Sequence, residues 1–303
     1  MRDQARIGRM TPSRRALLAG AGVMLLSGLA ACGRKEEEAK GPEVPAGPPE
    51  GSLEWAIQGP WRAADRPRDI YRHPLETLRF FGLQPMMTVV EFWPGSGWYA
   101  EILAPYLNKG EGEYYGAGFV TGEGANPAQA ALVANFERRF GSDRRLYGEV
   151  KFSAFGATTG PVAPAGTADM VLFMRNIHAW MAAGIAATAF ADAYAALKPG
   201  GVLGVEQHRL APDEDQDPAA SNGYVQEAFV KQLAAEAGFI FVAASEINAN
   251  PEDTKDHPFG VETLPPRLLT APQGEAPDPA FDSAKYRAIG DSDRMTLKFR
   301  KPE

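Results

Sequence analysis

The chain has 303 residues, 45% of them hydrophobic, 10% aromatic and 23% charged, enough to bury a full core in one large domain or two small ones. Its net charge of −7 repels phosphate backbones and excludes electrostatically driven nucleic-acid binding. With Cys32 as the only cysteine, intrachain disulfides and cysteine-based metal clusters are excluded as well.

Arg2, Arg6, Arg9, Arg14 and Arg15 make a basic head, followed by an uncharged run over residues 16–31. That run is short for a membrane span and suits a cleaved secretory signal, with an uncleaved anchor as the alternative. Ser13-Arg14-Arg15-Ala16-Leu17-Leu18 looks like a twin-arginine export signal, and Leu29-Ala30-Ala31-Cys32 looks like a lipoprotein cleavage box. Acylation of Cys32 is then expected, with the protein lipid-anchored in the cell envelope and facing the periplasm. Cleavage before Cys32 removes five arginines and one aspartate, a net +4, and takes the remaining chain from −7 to −11. Residues 32–51, rich in proline, glycine and charge, read as a flexible linker. The folded domain is expected over residues 52–303.

The domain opens on an aromatic, arginine-rich stretch that includes Trp55, Trp61, Arg62, Arg66, Arg68, Asp69, Tyr71, Arg72 and His73. Leu75, Leu78 and Phe81 then recur at helical spacing after His73-Pro74. Residues 86–92 form a short apolar run, β-branched at its centre and bounded by Pro85 and Pro94, as expected of a strand covered on both faces. Glu91 interrupts that run near its end, where an acid is costly unless it meets a ligand hydroxyl or a backbone donor. Gly95 and Gly97 allow a tight turn and close approach of a ligand to the backbone, and the helix expected next presents unpaired N–H groups.

The segment Glu91-Phe92-Trp93-Pro94-Gly95-Ser96-Gly97 resembles motif I of the class I S-adenosylmethionine-dependent methyltransferases, and the chain looks closest to a group of exported bacterial predicted methyltransferases. Trp93 stands where the fuller family pattern has its first glycine. The resemblance implies S-adenosylmethionine as cofactor and Glu91, Trp93, Gly95, Ser96 and Gly97 as cofactor-binding residues. It also implies one three-layer Rossmann-like α/β domain, with a mostly parallel seven-stranded sheet whose last strand is antiparallel and helices on both faces. By the same resemblance the arginine-rich stretch before the motif is a candidate lid. The alternative is that its arginines and aspartates satisfy one another while packing a helix on the sheet.

After the motif, Trp98, Tyr99, Ile102, Leu103, Tyr106 and Leu107 mark a helix that stops at Asn108-Lys109-Gly110. Residues 113–119 read as a second strand, but Gly116-Ala117-Gly118 occupies the place where the resemblance calls for a ribose-binding acid. Asn126-Pro127 starts a further helix, and residues 150–155 read as a third strand. Residues 168–174 are a clear buried strand ending in Arg175-Asn176-Ile177-His178, and polar residues at such an end sit where open α/β sheets bind ligands. In the resemblance this position is motif IV, which implies Asn176 as a cofactor candidate and His178 as a catalytic one, with helix capping or a core hydrogen bond as the alternative for the histidine. A single helix is expected over 181–197, then a Lys198-Pro199-Gly200-Gly201 turn familiar in these methyltransferases. The next strand covers 201–206, with Glu206 and His208 at its end.

A helix over 224–237, a strand over 239–245 and a final strand over 294–300 complete the pattern. The long proline-rich excursion from 248 to about 291 is expected to cover the substrate side, with Asn248, Asn250, Lys255, Asp256 and His257 as polar contributors. If the methyl acceptor is a hydroxyl or an ammonium, a base is needed, and His178, His208 and Glu206 are the candidates. Three readings follow. The first is methyl transfer to a small molecule or envelope component. The others are a non-catalytic envelope lipoprotein that keeps the fold to bind a ligand or partner, and a nicotinamide-dependent oxidoreductase.

Overall fold

The computed structural model describes residues 47–303. The export signal, the lipidation residue Cys32 and most of the linker lie outside the described residues. Among the described residues, no helix is long and apolar enough to cross a membrane.

Seven strands form one sheet: β1 (Thr88–Phe92), β2 (Glu113–Gly118), β3 (Lys151–Ala154), β4 (Ala168–Met174), β5 (Leu197–His208), β6 (Ile240–Ser245) and β7 (Arg294–Arg300). Their order is β3-β2-β1-β4-β5-β7-β6, parallel except for β7, which runs antiparallel between β5 and β6. This is the expected Rossmann-like arrangement. The order reverses between β1 and β4, and ligands of open α/β sheets bind in the crevice outside the strand ends at such a point.

Both faces of the sheet are covered, because the central strands are apolar on both. Val171 and Phe173 of β4 pack toward α7 (Ile177–Ala182), α8 (Ala186–Ala196) and α9 (Glu227–Glu236). Met170 and Leu172 pack toward α1 (Leu53–Gln58), α3 (Pro74–Phe81), α4 (Ala100–Lys109) and α5 (Pro127–Ser142), and the remaining α-helices of the described residues are the short α2 (Asp69–Arg72), α6 (Arg144–Tyr147) and α10 (Ala284–Ile289). The period of two then places Glu91 of β1, between Val90 and Phe92 of the first cluster, on the α4 side of the sheet.

Two expected elements change shape. The helix expected over 181–197 is two helices, because Gly184 adopts a φ of +69° between α7 and α8. Strand β5 begins earlier than residue 201: Leu197 pairs with Ala168 and Val202 with Met170, so Lys198–Gly201 is looped out of the register. The lysine-proline-glycine-glycine turn is thus a bulge inside one strand.

Register brings the chemistry to one end of the sheet. Met174 lies opposite Glu206, Glu206 opposite Thr296, and His208 opposite Arg294. The C-terminal ends of β1, β4 and β5 therefore meet the N-terminal end of the antiparallel β7.

Candidate active site

A cavity of about 280 Å³ opens at that end of the sheet. Its floor is the tips of β1 and β4, and one wall is the arginine-rich segment through Arg68 and Arg72. The opposite wall is the long excursion, through Val261, Leu264, Pro265 and Pro266. The excursion does cover the site, but with different residues from those expected. Asn248 is buried between Thr77 and Thr296, Asn250 bonds the carbonyls of Ile289 and Asp291, Lys255 pairs with Asp293, His257 bonds Asp253, and Asp256 accepts from Thr254. All five hold the excursion to itself and to the sheet.

Glu91, Trp93, Gly95, Ser96 and Asn176 all line the cavity. Glu91 is almost fully buried, and its Oε2 accepts a 2.7 Å hydrogen bond from the Tyr114 hydroxyl, while no described residue donates to Oε1. Burial raises its pKa to about 7, against the hydrogen bond from Tyr114. Gly95 has a φ of +61°, and a Cβ there would meet nothing within 4 Å. Its missing side chain leaves open space at the cavity. Gly97 is different: at φ +94°, a Cβ would lie 2.3 Å from Phe140. Its nakedness serves packing against α5, so its assignment to the cofactor is corrected.

Asn176 acts as a strut. Its Nδ2 donates to the carbonyls of Phe92 at 2.9 Å and Trp93 at 3.2 Å, tying the tip of β1 to the tip of β4. Trp93 and Arg175, which follow these two strands, both hold left-handed backbone conformations, with φ of +45° and +64°. The Trp93 indole turns toward the ends of β2 and β3, donates to the Phe155 carbonyl at 3.1 Å and packs 4.3 Å from Phe119. The hollow left between Trp93, Gly116, Gly118 and Phe136 holds only about 10 Å³.

The three candidate bases separate. Glu206 is fully buried and does not line the cavity. Its Oε2 accepts from Tyr99 at 2.8 Å, and its Oε1 accepts from Arg175 at 2.8 Å and lies 3.2 Å from Arg294. Burial alone would raise its pKa, but Arg175, Arg294 and Arg72 outweigh that and lower it. Glu206, buried away from the cavity with its pKa lowered by these arginines, sits as a structural acid and not where the expected base would act. His178 lines the cavity, with its Nδ1 3.2 Å from Gln207 Nε2. Because Gln207 Oε1 accepts the Ile177 N–H, its Nε2 donates to Nδ1, which places the neutral ring's proton on Nε2. His178 is then a donor, and burial lowers its pKa to about 4. His208 stands with its ring centroid 5.3 Å from that of His178 and its Nδ1 2.5 Å from Ser292 Oγ. Burial and His178 keep it well below the usual histidine range. Both rings are uncharged at neutral pH, and His208 is the one left to accept a proton.

The residues missed by sequence reasoning are Tyr99, Arg175, Asp291, Ser292 and Arg294. Arg175 carried a signal, since it directly follows a buried strand. Tyr99 follows the glycine turn after β1, and Asp291, Ser292 and Arg294 come to the cavity only through the antiparallel return of β7.

No family model matches the sequence, and no curated protein matches it. Among solved structures, the [4+2]-cyclase SpnF shares 17% identity over 76% of this chain and 80% of its own, with a TM-score of 0.47. An S-adenosylmethionine-dependent methyltransferase from Aquifex aeolicus shares 18% over 61% of this chain and 88% of its own, with a TM-score of 0.45. Human N-acetylserotonin methyltransferase, solved with S-adenosylmethionine, shares 14% over 83% of this chain and 56% of its own, with a TM-score of 0.47. Likenesses this distant assign no role to any residue here.

The buried Glu91 makes stability depend on pH. Its folded pKa of about 7 lies above the ordinary 4.5, so between those values the folded state holds a proton that the unfolded chain has released. Stability from this group is full at low pH and declines as pH rises through 7. Relative to wild type, Glu91→Gln is expected to gain about 2–3 kcal/mol between pH 5 and pH 8 in urea unfolding. Parallel pH dependence of the two proteins would show that Glu91 is ionised in the fold.

Proposed function

We propose that the chain is an S-adenosylmethionine-dependent methyltransferase acting on a small molecule or envelope component. The observation that carries this reading is the pairing, at the sheet's reversal point, of a buried acid with one unused oxygen and a glycine with open space where its side chain would be. Glu91 and Gly95 fit the amino-acid end of the cofactor. The end of β2 supplies no acid for the ribose. Bound S-adenosylmethionine supplies a methyl group on a sulfonium, transferable by direct displacement.

The chain's own contribution is mainly alignment, which reaches roughly 7–11 kcal/mol in favourable systems. Asn176 fixes the β1 tip against β4, His178 offers a hydrogen-bond donor, and His208 accepts the acceptor's proton where one must leave. The excursion and the arginine-rich segment restrict water at the site.

A second reading, a non-catalytic lipoprotein with the same fold, rests on the indole of Trp93 over the ends of β2 and β3 and the glycines at 116 and 118. Calorimetry of the full chain separates the two. S-adenosylmethionine and its demethylated product are expected to bind, and NAD not; absence of binding by the first two sinks the methyltransferase reading. Trp93→Gly, at a position whose positive φ suits glycine, is expected to tighten cofactor binding about tenfold. Weaker binding would instead make the indole a cofactor contact.

The same proposal holds the protein in the envelope through an acyl chain on Cys32, facing the periplasm. Metabolic labelling with a radioactive fatty acid is expected to mark the wild type and not Cys32→Ser. Equal labelling would refute the anchor.

A further inference from the structure

The cavity is crowded with guanidinium groups. Arg68 and Arg72 come from the segment before the sheet, Arg175 from the tip of β4 and Arg294 from the start of β7, and all four line the cavity. Two carboxylates answer them. Asp291 is held by Arg72 Nε at 3.0 Å, Arg294 Nη1 at 2.9 Å and Arg68 at 3.3 Å. Glu206 is held by Arg175 at 2.8 Å and approached by Arg294 at 3.2 Å.

Four cations share two anions, so the cluster carries a net charge of two positive. The rim pair of Arg267 and Glu262, 2.8 Å apart, cancels itself. Glu91, within electrostatic reach of Arg175, offsets at most one charge when ionised. His178 and His208 add none.

The free donors can be named. Arg72 gives only Nε to Asp291 and Arg175 only Nη1 to Glu206, and no described residue accepts from their remaining N–H groups. Arg72 is also fixed in place, with its guanidinium 4.7 Å from the centre of the Trp98 ring. Guanidinium forks held this way match the oxygens of phosphates and carboxylates, and uncompensated charge in a half-closed site is costly until an anion answers it.

We propose that this arginine cluster is the acceptor subsite and takes a small molecule carrying two negative charges, a phosphate monoester or a dicarboxylate. That it is the acceptor's subsite rests on the methyl-transfer reading; that it binds a dianion does not.

The test is calorimetric titration of the full chain, without cofactor, by inorganic phosphate and separately by malonate. At least one is expected to bind at one equivalent, and the stronger identifies the phosphoryl or dicarboxylate source. Arg72→Gln is expected to weaken that binding about tenfold or more. Its unfolding midpoint is expected to stay unchanged, since Arg68 and Arg294 still hold Asp291. Should that variant fail to fold, Arg68→Gln, at a more exposed position, is expected to show the same loss. Binding of neither anion, or unchanged affinity in the variants, overturns the proposal. Displacement of the anion by S-adenosylmethionine overturns it too, because the arginines would then serve the cofactor's carboxylate. Anion binding by a chain that takes no S-adenosylmethionine would keep the dianion site and remove the methyl-transfer reading instead.

Discussion

A single buried carboxylate holds the working end of this protein together. Glu206 sits at zero exposure near the end of β5 and collects the Tyr99 hydroxyl from the turn before α4, Arg175 from the tip of β4 and Arg294 from the start of β7. An isolated ion at that depth would take up a proton, but here the guanidinium groups outweigh the cost of burial and it stays charged. Three segments distant in sequence are thereby keyed to one point, directly beneath the cavity.

The cavity is electrically lopsided as a result. It carries Glu91, whose proton is loosely held near neutral pH, beside the open space at Gly95. It also carries surplus guanidinium charge on a wall fixed by Trp98 and Asp291. With them lie two uncharged imidazoles, one committed to donating by Gln207.

Much of the sheet was legible because buried parallel strands read as unbroken apolar runs. The strand at 168–174 falls where its apolar run put it, and the antiparallel strand at 294–300 where its alternation did. The helix after Asn126-Pro127 was legible from its cap, and Asn126 does accept from the N–H groups of Ala128 and Gln129. What escaped depended on three-dimensional neighbours. Gly95 and Gly97 look alike in sequence, yet one faces space and the other faces Phe140. Glu206 reads as a base at a strand end, and only the arrival of Tyr99 and Arg175, 107 and 31 residues away, makes it structural. The polar residues of the excursion looked functional by composition, but they bond within the excursion and to Thr77 and β7, and apolar residues and prolines form the wall instead.

The dependence on Glu206 is open to one direct measurement: urea unfolding of Glu206→Gln beside the wild type at neutral pH. The glutamine keeps the shape and removes the charge, leaving Arg175 without its counter-ion and Arg294 with Asp291 alone. A loss of about 3–5 kcal/mol is the expected result. A loss below about 1 kcal/mol would mean that the arginines do not need this carboxylate and that the site is held by some other contact.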